Sequence, residues 1–391
     1  MAALNPLRCG GTSLPIPLLL AAKIVALALL LTNHVRLMPD PFLPFVPVLD
    51  ALPGPAFRLG LQAVFVVSAV ALLLNQWVRV SALVLGSTLL LAVVASKAYY
   101  GNNKTMCGCL LFLIGLYHER TGSWLIRVQL ALVYFGAGLN KMFDADWWSG
   151  QFFEHWAAVR LRQPVYVWLA SALPPLVAAK FFCYSTIASE MVLSVALLAP
   201  RCYGWALWLS VLFQAALMEF SGSMFTMFFY VMQASMLAFV AWPRELVVIY
   251  DGDCGICNQI RRALERCDFD GVMRWEAFQT GIGERWGIAR SAVETRLHLV
   301  ADGRVYGGFA ACKLLLLYLP AFLLLLTLVL AAPPNEGWVW FRRLFVAAWL
   351  AFFFPWFDRI GEWCYLRAAR NRYRVSAACA IEPNPKAGPR P

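Results

Sequence analysis

The sequence predicts a membrane-embedded all-α helical bundle of about eight spans, joined to a C-terminal α/β domain that carries an extra apolar helical hairpin. Composition predicts the bundle: 61% of the 391 residues are hydrophobic and only 14% are charged. A typical soluble domain has about a quarter charged residues. Because a soluble core of this size cannot hide so much apolar surface, lipid is the expected solvent. A dithiol motif after a strand-like run predicts the second domain.

The excess of basic residues bears on which partners the protein binds. A net charge of +11 is compatible with nucleic-acid binding, but the basic residues lie mainly between apolar runs, where they act as interfacial anchors and topology signals. Composition therefore excludes a nucleic-acid module, a cytosolic enzyme and a disordered protein, and the lipid bilayer is the expected partner. Arginine outnumbers lysine, which favours a bacterial inner membrane. The distribution of arginine between the spans favours the cytoplasmic side for the C-terminal domain.

The membrane domain is expected to cover residues 1–243. A spanning helix needs about 20 mainly apolar residues, and the first run is expected to be a retained span rather than a cleaved signal. Stretch 165–177, which contains two adjacent prolines, is expected to be re-entrant or interfacial, and the proline-rich stretch 39–55 a surface loop. The eight predicted spans are 14–32, 57–77, 80–99, 106–117, 124–142, 180–199, 203–220 and 224–242.

Ionisable side chains inside spans are costly, so they are functional candidates. Lys23 and Glu219 lie near span ends, where we expect them to extend to the lipid headgroups. Glu190 lies well inside its run and is a candidate for a polar site. Cys107 and Cys109 are one residue apart; we expect two buried thiols rather than a strained disulfide or a soft-metal site.

Residues 134–141 have the sequence Tyr-Phe-Gly-Ala-Gly-Leu-Asn-Lys, and a turn containing Asp144 and Asp146 follows. The glycines allow close helix approach, and a desolvated Lys141 can act as a base. This segment resembles the signature of the HTTM and vitamin K-dependent γ-carboxylase-like membrane family, which implies a catalytic-base lysine at Lys141. An extra residue after the lysine and the lack of a large extramembrane domain argue against glutamate carboxylation. A lysine that only anchors the helix at the interface is the alternative.

The C-terminal domain is expected at 244–376. A β-branched strand at 246–250 runs into Asp-Gly-Asp-Cys-Gly-Ile-Cys and then a helical stretch, and the later segments complete a βαβαββα order, the thioredoxin-like plan.

The dithiol motif lies where a strand turns into a helix. The free amides and the dipole of a helix start favour a thiolate at Cys254. Cys257, one turn later, can resolve a mixed disulfide. We therefore predict Cys254 as the nucleophile and Cys257 as the resolving thiol, with Asp251 and Asp253 shuttling protons or fixing the turn.

Three blocks of this domain resemble the DCC family of thiol-disulfide oxidoreductases: the motif at 250–257, a hairpin at 299–308 and the terminal stretch 365–374. The resemblance covers 246 to about 375 and implies thiol-disulfide oxidoreductase activity. The sequence departs from the thioredoxin-like pattern in two ways. No proline precedes the third strand, and segment 313–357 is apolar enough for a membrane-associated hairpin. Residues 377–391 are expected to be a disordered tail.

Other chemistries need residues that the sequence does not supply. Zinc binding by the dithiol would require a second ligand pair, and Cys267 with His298 is a poor substitute. A phosphatase with Asp251 as nucleophile would require paired acidic residues downstream. No metal is therefore expected. A domain whose cysteines are no longer catalytically active is a further alternative.

Three functional hypotheses follow. The first is a membrane-anchored thiol-disulfide oxidoreductase with an unidentified thiol or disulfide partner. In the second, the bundle binds a lipid or an isoprenoid quinone, and the quinone would be the cofactor; Lys141 acts as base, Glu190 as its polar partner, and the dithiol supplies or accepts electrons. The third is a non-catalytic maturation factor in which the dithiol is structural.

Overall fold

The computed structural model describes most of the chain as two compact units. One unit is Thr12–Val240, and the other combines Met1–Gly11 with Ala241–Pro391. The described residues are 4–36, 38, 54–96, 99–221, 226–331, 344, 347–348, 351–352 and 354–378.

The larger unit is helical throughout its described part, and each predicted apolar run contains a helix. A π-helical turn, His155–Arg160, follows α7. The helices are α1 (Ile16–Leu31), α2 (Gly54–Leu73), α3 (Val78–Ala95), α4 (Asn102–Gly115), α5 (Trp124–Met142), α6 (Ala145–Ser149), α7 (Gln151–Glu154), α8 (Pro164–Ser171), α9 (Val177–Ala196), α10 (Tyr203–Phe220) and α11 (Thr226–Met236).

The number of spans supported by the structure is lower than predicted. Among the described helices of this unit, α2 and α3 are long and apolar enough to cross a membrane. Several others are too short, such as α1 with 16 residues and α11 with 11, against the roughly 20 that a span needs. Length and composition therefore do not confirm eight spans.

Helices α3 and α4 pack backbone to backbone because glycines face each other's helix. A Cβ atom on Gly86 would lie 2.5 Å from the backbone nitrogen of Phe112, and one on Gly115 would lie 2.7 Å from the backbone nitrogen of Leu83. No real Cβ atom tolerates such distances, so only glycine permits this approach.

Helices α5 and α9 also approach closely at a glycine. A Cβ atom on Gly138 would lie 2.9 Å from Sδ of Met191 and 3.3 Å from Cβ of Glu190, whereas one on Gly136 would meet no described atom within 4 Å. The predicted role of small residues in close helix approach therefore applies to Gly138 and not to Gly136.

Some predictions for the bundle need correction or fall outside the described residues. Lys23 does not extend to the surface: it lies in the middle of α1, which is buried on nearly all sides, and is fully buried itself. Cys107 is buried and Cys109 half-buried, both as free thiols. Stretch 165–177 forms only the short helix α8 and a turn. The side chain of Glu219 and nearly all of 39–55 lie outside the described residues.

The C-terminal unit contains a four-stranded mixed sheet in the order β2-β1-β3-β4. Strands β1 and β2 are parallel, and the other two pairs are antiparallel. The predicted βαβαββα order is confirmed. The elements are β1 (Leu246–Tyr250), α12 (Gly255–Cys267), β2 (Met273–Ala277), α13 (Ile282–Arg285), α14 (Arg290–Thr295), β3 (His298–Ala301), β4 (Arg304–Gly307), α15 (Gly308–Leu317), α16 (Pro320–Ala331) and α17 (Asp358–Ala378).

Strand β1 is buried along its whole length because both faces of the sheet are covered. Successive side chains of a strand point to opposite faces. Leu246 and Val248 therefore enter one core with residues of α15, while Val247 and Ile249 enter a second core with residues of α13 and α14. The carboxyl end of this rigid central strand carries the dithiol motif.

The predicted apolar hairpin is described only in its first half. Helices α15 and α16 are bent by 72° at the break between them, and together they would make a third candidate span. Most of the second half of 313–357 lies outside the described residues, as does the tail from 379 onward.

Residues 9–10 and helix α17 are both held within the C-terminal unit by side-chain hydrogen bonds. The carboxylate of Asp270 accepts hydrogen bonds from the backbone N–H groups of Cys9 at 2.8 Å and Gly10 at 2.6 Å. Helix α17 is held by Glu362, which accepts from the N–H of Phe309 at 2.8 Å, and by the Tyr365 hydroxyl. The terminal block of the DCC-like pattern therefore has a structural role.

Candidate functional site

The dithiol lies at the junction between β1 and α12. Cys254 is the N-cap residue of the 13-residue helix α12, and its Sγ accepts a hydrogen bond from the backbone N–H of Cys257 at 3.5 Å. A sulfur atom at this place faces the free amides and the positive end of the helix dipole, which stabilise a thiolate. The two cysteines are not joined by a disulfide in this structure.

The two sulfurs differ in their exposure. Cys254 is 0% exposed, whereas Cys257 is half-buried. In this arrangement Cys257 is the more accessible of the pair, and Cys254 is the one held by a backbone donor. The sequence predicted the helix-end placement but gave no sign that Cys254 is covered.

The turn before the dithiol is fixed by a pair of side chains. The carboxylate of Asp251 accepts hydrogen bonds from the N–H of Asp253 at 3.1 Å and from Nε2 of Gln279 at 2.9 Å. Oε1 of Gln279 in turn accepts from the N–H of Gly252 at 3.1 Å. Asp251 is 3% exposed and oriented by these bonds, which is the arrangement of a residue that fixes the turn.

A second side chain holds the start of α12. The buried amide of Asn258 donates to the carbonyl oxygens of Gly252 at 2.7 Å and Cys254 at 3.1 Å. Sequence reasoning missed both Asn258 and Gln279. A signal for Gln279 was present, since it follows β2 and the carboxyl ends of parallel neighbours such as β1 and β2 lie at one edge of a sheet.

The position before β3 differs from the thioredoxin pattern, as the sequence indicated. The backbone N–H of Leu297 donates to the hydroxyl of Tyr365 at 2.7 Å. The terminal helix α17 therefore holds this segment at the residue where thioredoxins place a proline.

In the larger unit, Lys141 and Glu190 form an ion pair between α5 and α9. The ammonium of Lys141 donates to both carboxylate oxygens of Glu190 at 2.8 Å and to the carbonyl of Ala137 at 3.3 Å. A lysine ammonium has three donors, so all three are used. Glu190 is 5% exposed. Glu190 is therefore the direct partner of the Lys141 side chain.

The two acidic residues after α5 do not join this pair. Asp144 caps α6, because its carboxylate accepts from the N–H of Asp146 at 2.9 Å, and it lies at the wall of a cavity. Asp146 is exposed and does not line that cavity. The structure thus brings together Lys141 and Glu190, with Asp144 nearby, and leaves Asp146 outside.

The cavity has a volume of about 780 Å³ and lies between α5, α9, α10 and α11. Tyr134, Ala137 and Lys141 line it from one face of α5, as expected for positions three and four apart on a helix. Aromatic side chains form much of the remaining wall, among them Trp147, Phe153, Phe182, Phe213 and Phe220.

Comparison with known families identifies two domains. A model of the HTTM domain matches residues 118–242, and a model of the DCC1-like thiol-disulfide oxidoreductase family matches residues 248–345. The first range contains α5 to α11 and most of the residues that line the cavity, and the second contains the dithiol motif. Both resemblances drawn from the sequence are confirmed. No curated protein and no solved structure matches the chain.

Proposed function

Because the chain combines an HTTM domain with a DCC1-like thiol-disulfide oxidoreductase domain, we propose that it is a membrane-anchored thiol-disulfide oxidoreductase whose reacting groups are Cys254 and Cys257. The HTTM domain and the two apolar helices α2 and α3 indicate a membrane protein. The observation that carries the proposal is the hydrogen bond from the N–H of Cys257 to Sγ of Cys254 at the start of α12. It supports thiolate formation at Cys254, the sulfur at the start of the helix.

The reaction is an exchange of two electrons between dithiol and disulfide. The Cys254 thiolate attacks one sulfur of a partner disulfide; the partner S–S bond breaks, and its leaving thiolate takes up a proton. The Cys257 thiolate then attacks the Cys254 sulfur of the mixed disulfide. The partner leaves as a dithiol, and Cys254 and Cys257 remain as a disulfide. The reverse sequence oxidises a partner dithiol.

The two aspartates have different tasks in this proposal. Asp251 keeps the turn in place through Gln279, because its carboxylate is already engaged in hydrogen bonds. Asp253 is half-buried and adjacent to Cys254, so it carries the proton that leaves or returns to the thiol. Burial of Cys254 requires local opening of its cover before attack, whereas Cys257 is reached directly.

Trapping of the mixed disulfide tests the proposal. The full-length protein in detergent is first reduced, separated from the reductant, and then incubated with a disulfide-containing peptide. Cys257→Ser should accumulate a mixed disulfide, and Cys254→Ser should not. Cys267→Ser, at the far end of α12, is the matched control and should behave as the parent. If neither of the first two variants accumulates a mixed disulfide, the proposal is contradicted. If only Cys254→Ser accumulates one, the attacking residue is Cys257.

We further propose that the dithiol faces the cytoplasm of a bacterial cell. A cytoplasmic dithiol rests in the reduced form, because that compartment keeps thiols reduced. A membrane-impermeant thiol reagent should then label Cys257 only after the cells are lysed. Equal labelling in intact cells would place the dithiol on the other side.

A further inference from the structure

Large apolar side chains are exposed along the outer face of α17. Trp356, two residues before the helix, is 83% exposed, and Ile360 and Trp363 are 57% and 60% exposed. These three residues, which we call the apolar stripe, are four and three positions apart, the spacing of one helix face. The opposite face, which includes Glu362 and Tyr365, is held within the C-terminal unit. A group of exposed apolar side chains beside polar ones is typical of an interaction surface.

Three exposed arginines lie on the same face of α17. Arg359 is three residues from Trp356, Arg367 is four residues from Trp363, and Arg370 continues the same spacing. The guanidinium of Arg367 lies over the ring of Trp363, 5.5 Å from its centre. A cation at this distance is attracted to the face of an indole. The outer face therefore presents apolar rings and positive charges side by side.

The acidic residues of α17 are engaged by the rest of the C-terminal unit. Asp358 forms an ion pair with Lys313, and Glu362 forms one with Arg296 at 3.3 Å. The sequence of α17 contains no other acidic residue. The three exposed arginines are therefore not balanced by carboxylates of their own helix, and electrostatic complementarity favours a negatively charged partner surface.

A lipid surface fits this face better than a second copy of the chain does. A helix with exposed tryptophan on an apolar stripe and arginines beside it is typical of the interface of an anionic membrane. The HTTM domain indicates a membrane protein, so α17 is covalently attached to a bilayer-embedded domain and its effective concentration at lipid is high. In a two-fold dimer the same patch meets itself, which would place the arginines of the two copies against each other.

We propose that α17 is an interfacial helix that binds the headgroups of anionic phospholipids. The apolar stripe lies at the level of the headgroups, and the three exposed arginines bind their phosphate groups. Binding removes the stripe from water and neutralises the arginines. It uses neither the dithiol nor the cavity of the HTTM domain, so the proposal is independent of thiol-disulfide exchange.

The reactivity of Cys364 tests the proposal, because this thiol is exposed and adjacent to Trp363. The full-length protein is placed in nanodiscs of phosphatidylcholine, or of equal parts phosphatidylcholine and phosphatidylglycerol, and alkylated with iodoacetamide, which is uncharged. Peptide mass gives the rate at each cysteine, and the half-buried Cys267 of the same unit is the internal reference. The rate of Cys364 relative to Cys267 should be roughly tenfold lower with phosphatidylglycerol. High salt should restore most of that rate.

Equal relative rates in the two lipids would overturn the proposal. Slow reaction of Cys364 in both would show that the face is covered without anionic lipid, by another part of the chain, a second copy or another protein. Fast reaction in both would show that the face stays open to water.

Two triple variants separate the face of α17 from the total charge of the unit. The first combines Arg359→Gln, Arg367→Gln and Arg370→Gln and should abolish the difference between the lipids. The matched control combines Arg262→Gln, Arg266→Gln and Arg285→Gln, which removes three exposed arginines elsewhere in the same unit, and should keep the difference. An unchanged rate of Cys267 in phosphatidylcholine shows that each variant is folded. If both variants lose the difference, or both keep it, α17 is not the binding element and the proposal is wrong.

Discussion

The side-chain amide of Gln279 donates a hydrogen bond to the carboxylate of Asp251 at 2.9 Å. This bond joins the residues after β2 to the turn that presents the dithiol. The oxygen of the same amide accepts a hydrogen bond from the N–H of Gly252, so Gln279 clamps the turn at two points. The position of Cys254 relative to the central strand therefore depends on a residue 25 positions further along the chain.

Removal of this clamp is expected to slow thiol-disulfide exchange. Gln279→Leu removes both hydrogen bonds and leaves the buried Asp251 with one donor fewer, so the turn and Cys254 lose their fixed geometry. We predict a roughly tenfold lower rate of reduction of a small disulfide, measured with the full-length protein in detergent. Thr280→Ala, at the exposed neighbouring residue, should keep the parental rate. An unchanged rate in Gln279→Leu would mean that the clamp does not position the dithiol.

Lys141 and Glu190 are expected to be tolerated in the bundle only when both are present. Glu190→Ala leaves the Lys141 ammonium without its partner inside the helix packing, and loss of one partner of a buried pair costs about 3–5 kcal/mol. The double variant Lys141→Met with Glu190→Leu should unfold much closer to the parental temperature. Thermal unfolding in detergent, followed by light scattering and intrinsic fluorescence, measures both. Equal loss in the single and double variants would contradict this account.

The contact between α3 and α4 is expected to tolerate no side chain on its glycines. Gly86→Ala forces Cβ against the backbone of Phe112, and overpacking of this kind costs about 1–3 kcal/mol. We expect a lower unfolding midpoint and a smaller yield of monodisperse protein. Gly60→Ala on α2 is the matched control, because a Cβ there meets no described atom within 4 Å. Equal behaviour of the two variants would argue against close packing of these helices.

Acid is expected to destabilise the C-terminal unit through His298. Burial lowers the pKa of His298 below its ordinary value of 6.5, so the folded protein keeps this ring neutral while the unfolded chain takes up a proton. The stabilising contribution is therefore complete above pH 6.5 and declines as the pH falls from there towards the lowered pKa of the folded state.

The variant His298→Asn removes the titrating group and keeps a donor near the carbonyl of Arg296. The drop in unfolding midpoint between pH 7.5 and pH 5.5 should be smaller in this variant than in the parent. A drop of the same size in both proteins would show that His298 does not contribute to acid sensitivity.

Local patterns predicted the elements of the C-terminal domain well. The β-branched run at 246–250 and the cysteine spacing after it predict a strand, a turn and a helix start, and β1 and α12 lie there. These features depend on neighbouring residues, so the sequence contains them directly. The burial of Cys254 and the clamp from Gln279 depend on residues that are distant in the chain, and no local pattern reports them.

The bundle was less predictable for a related reason. Hydropathy marks the apolar runs, and each contains a helix, but hydropathy does not report which face of a helix is covered by its neighbours. Lys23 illustrates this. Its complete burial is caused by the helices packed around α1, which the sequence of α1 itself does not reveal. The pairing of Lys141 with Glu190 depends likewise on the approach of two helices at Gly138.

A redox titration of the full-length protein tests the central claim most directly. The protein is equilibrated with mixtures of reduced and oxidised glutathione and alkylated, and the oxidation state of each cysteine is read by peptide mass. We predict one transition in which Cys254 and Cys257 oxidise together to a shared disulfide, with a slope of about 30 mV per tenfold change, as a two-electron couple requires. If Cys254 stays reduced throughout while Cys257 alone forms an adduct with glutathione, the proposed dithiol chemistry is wrong.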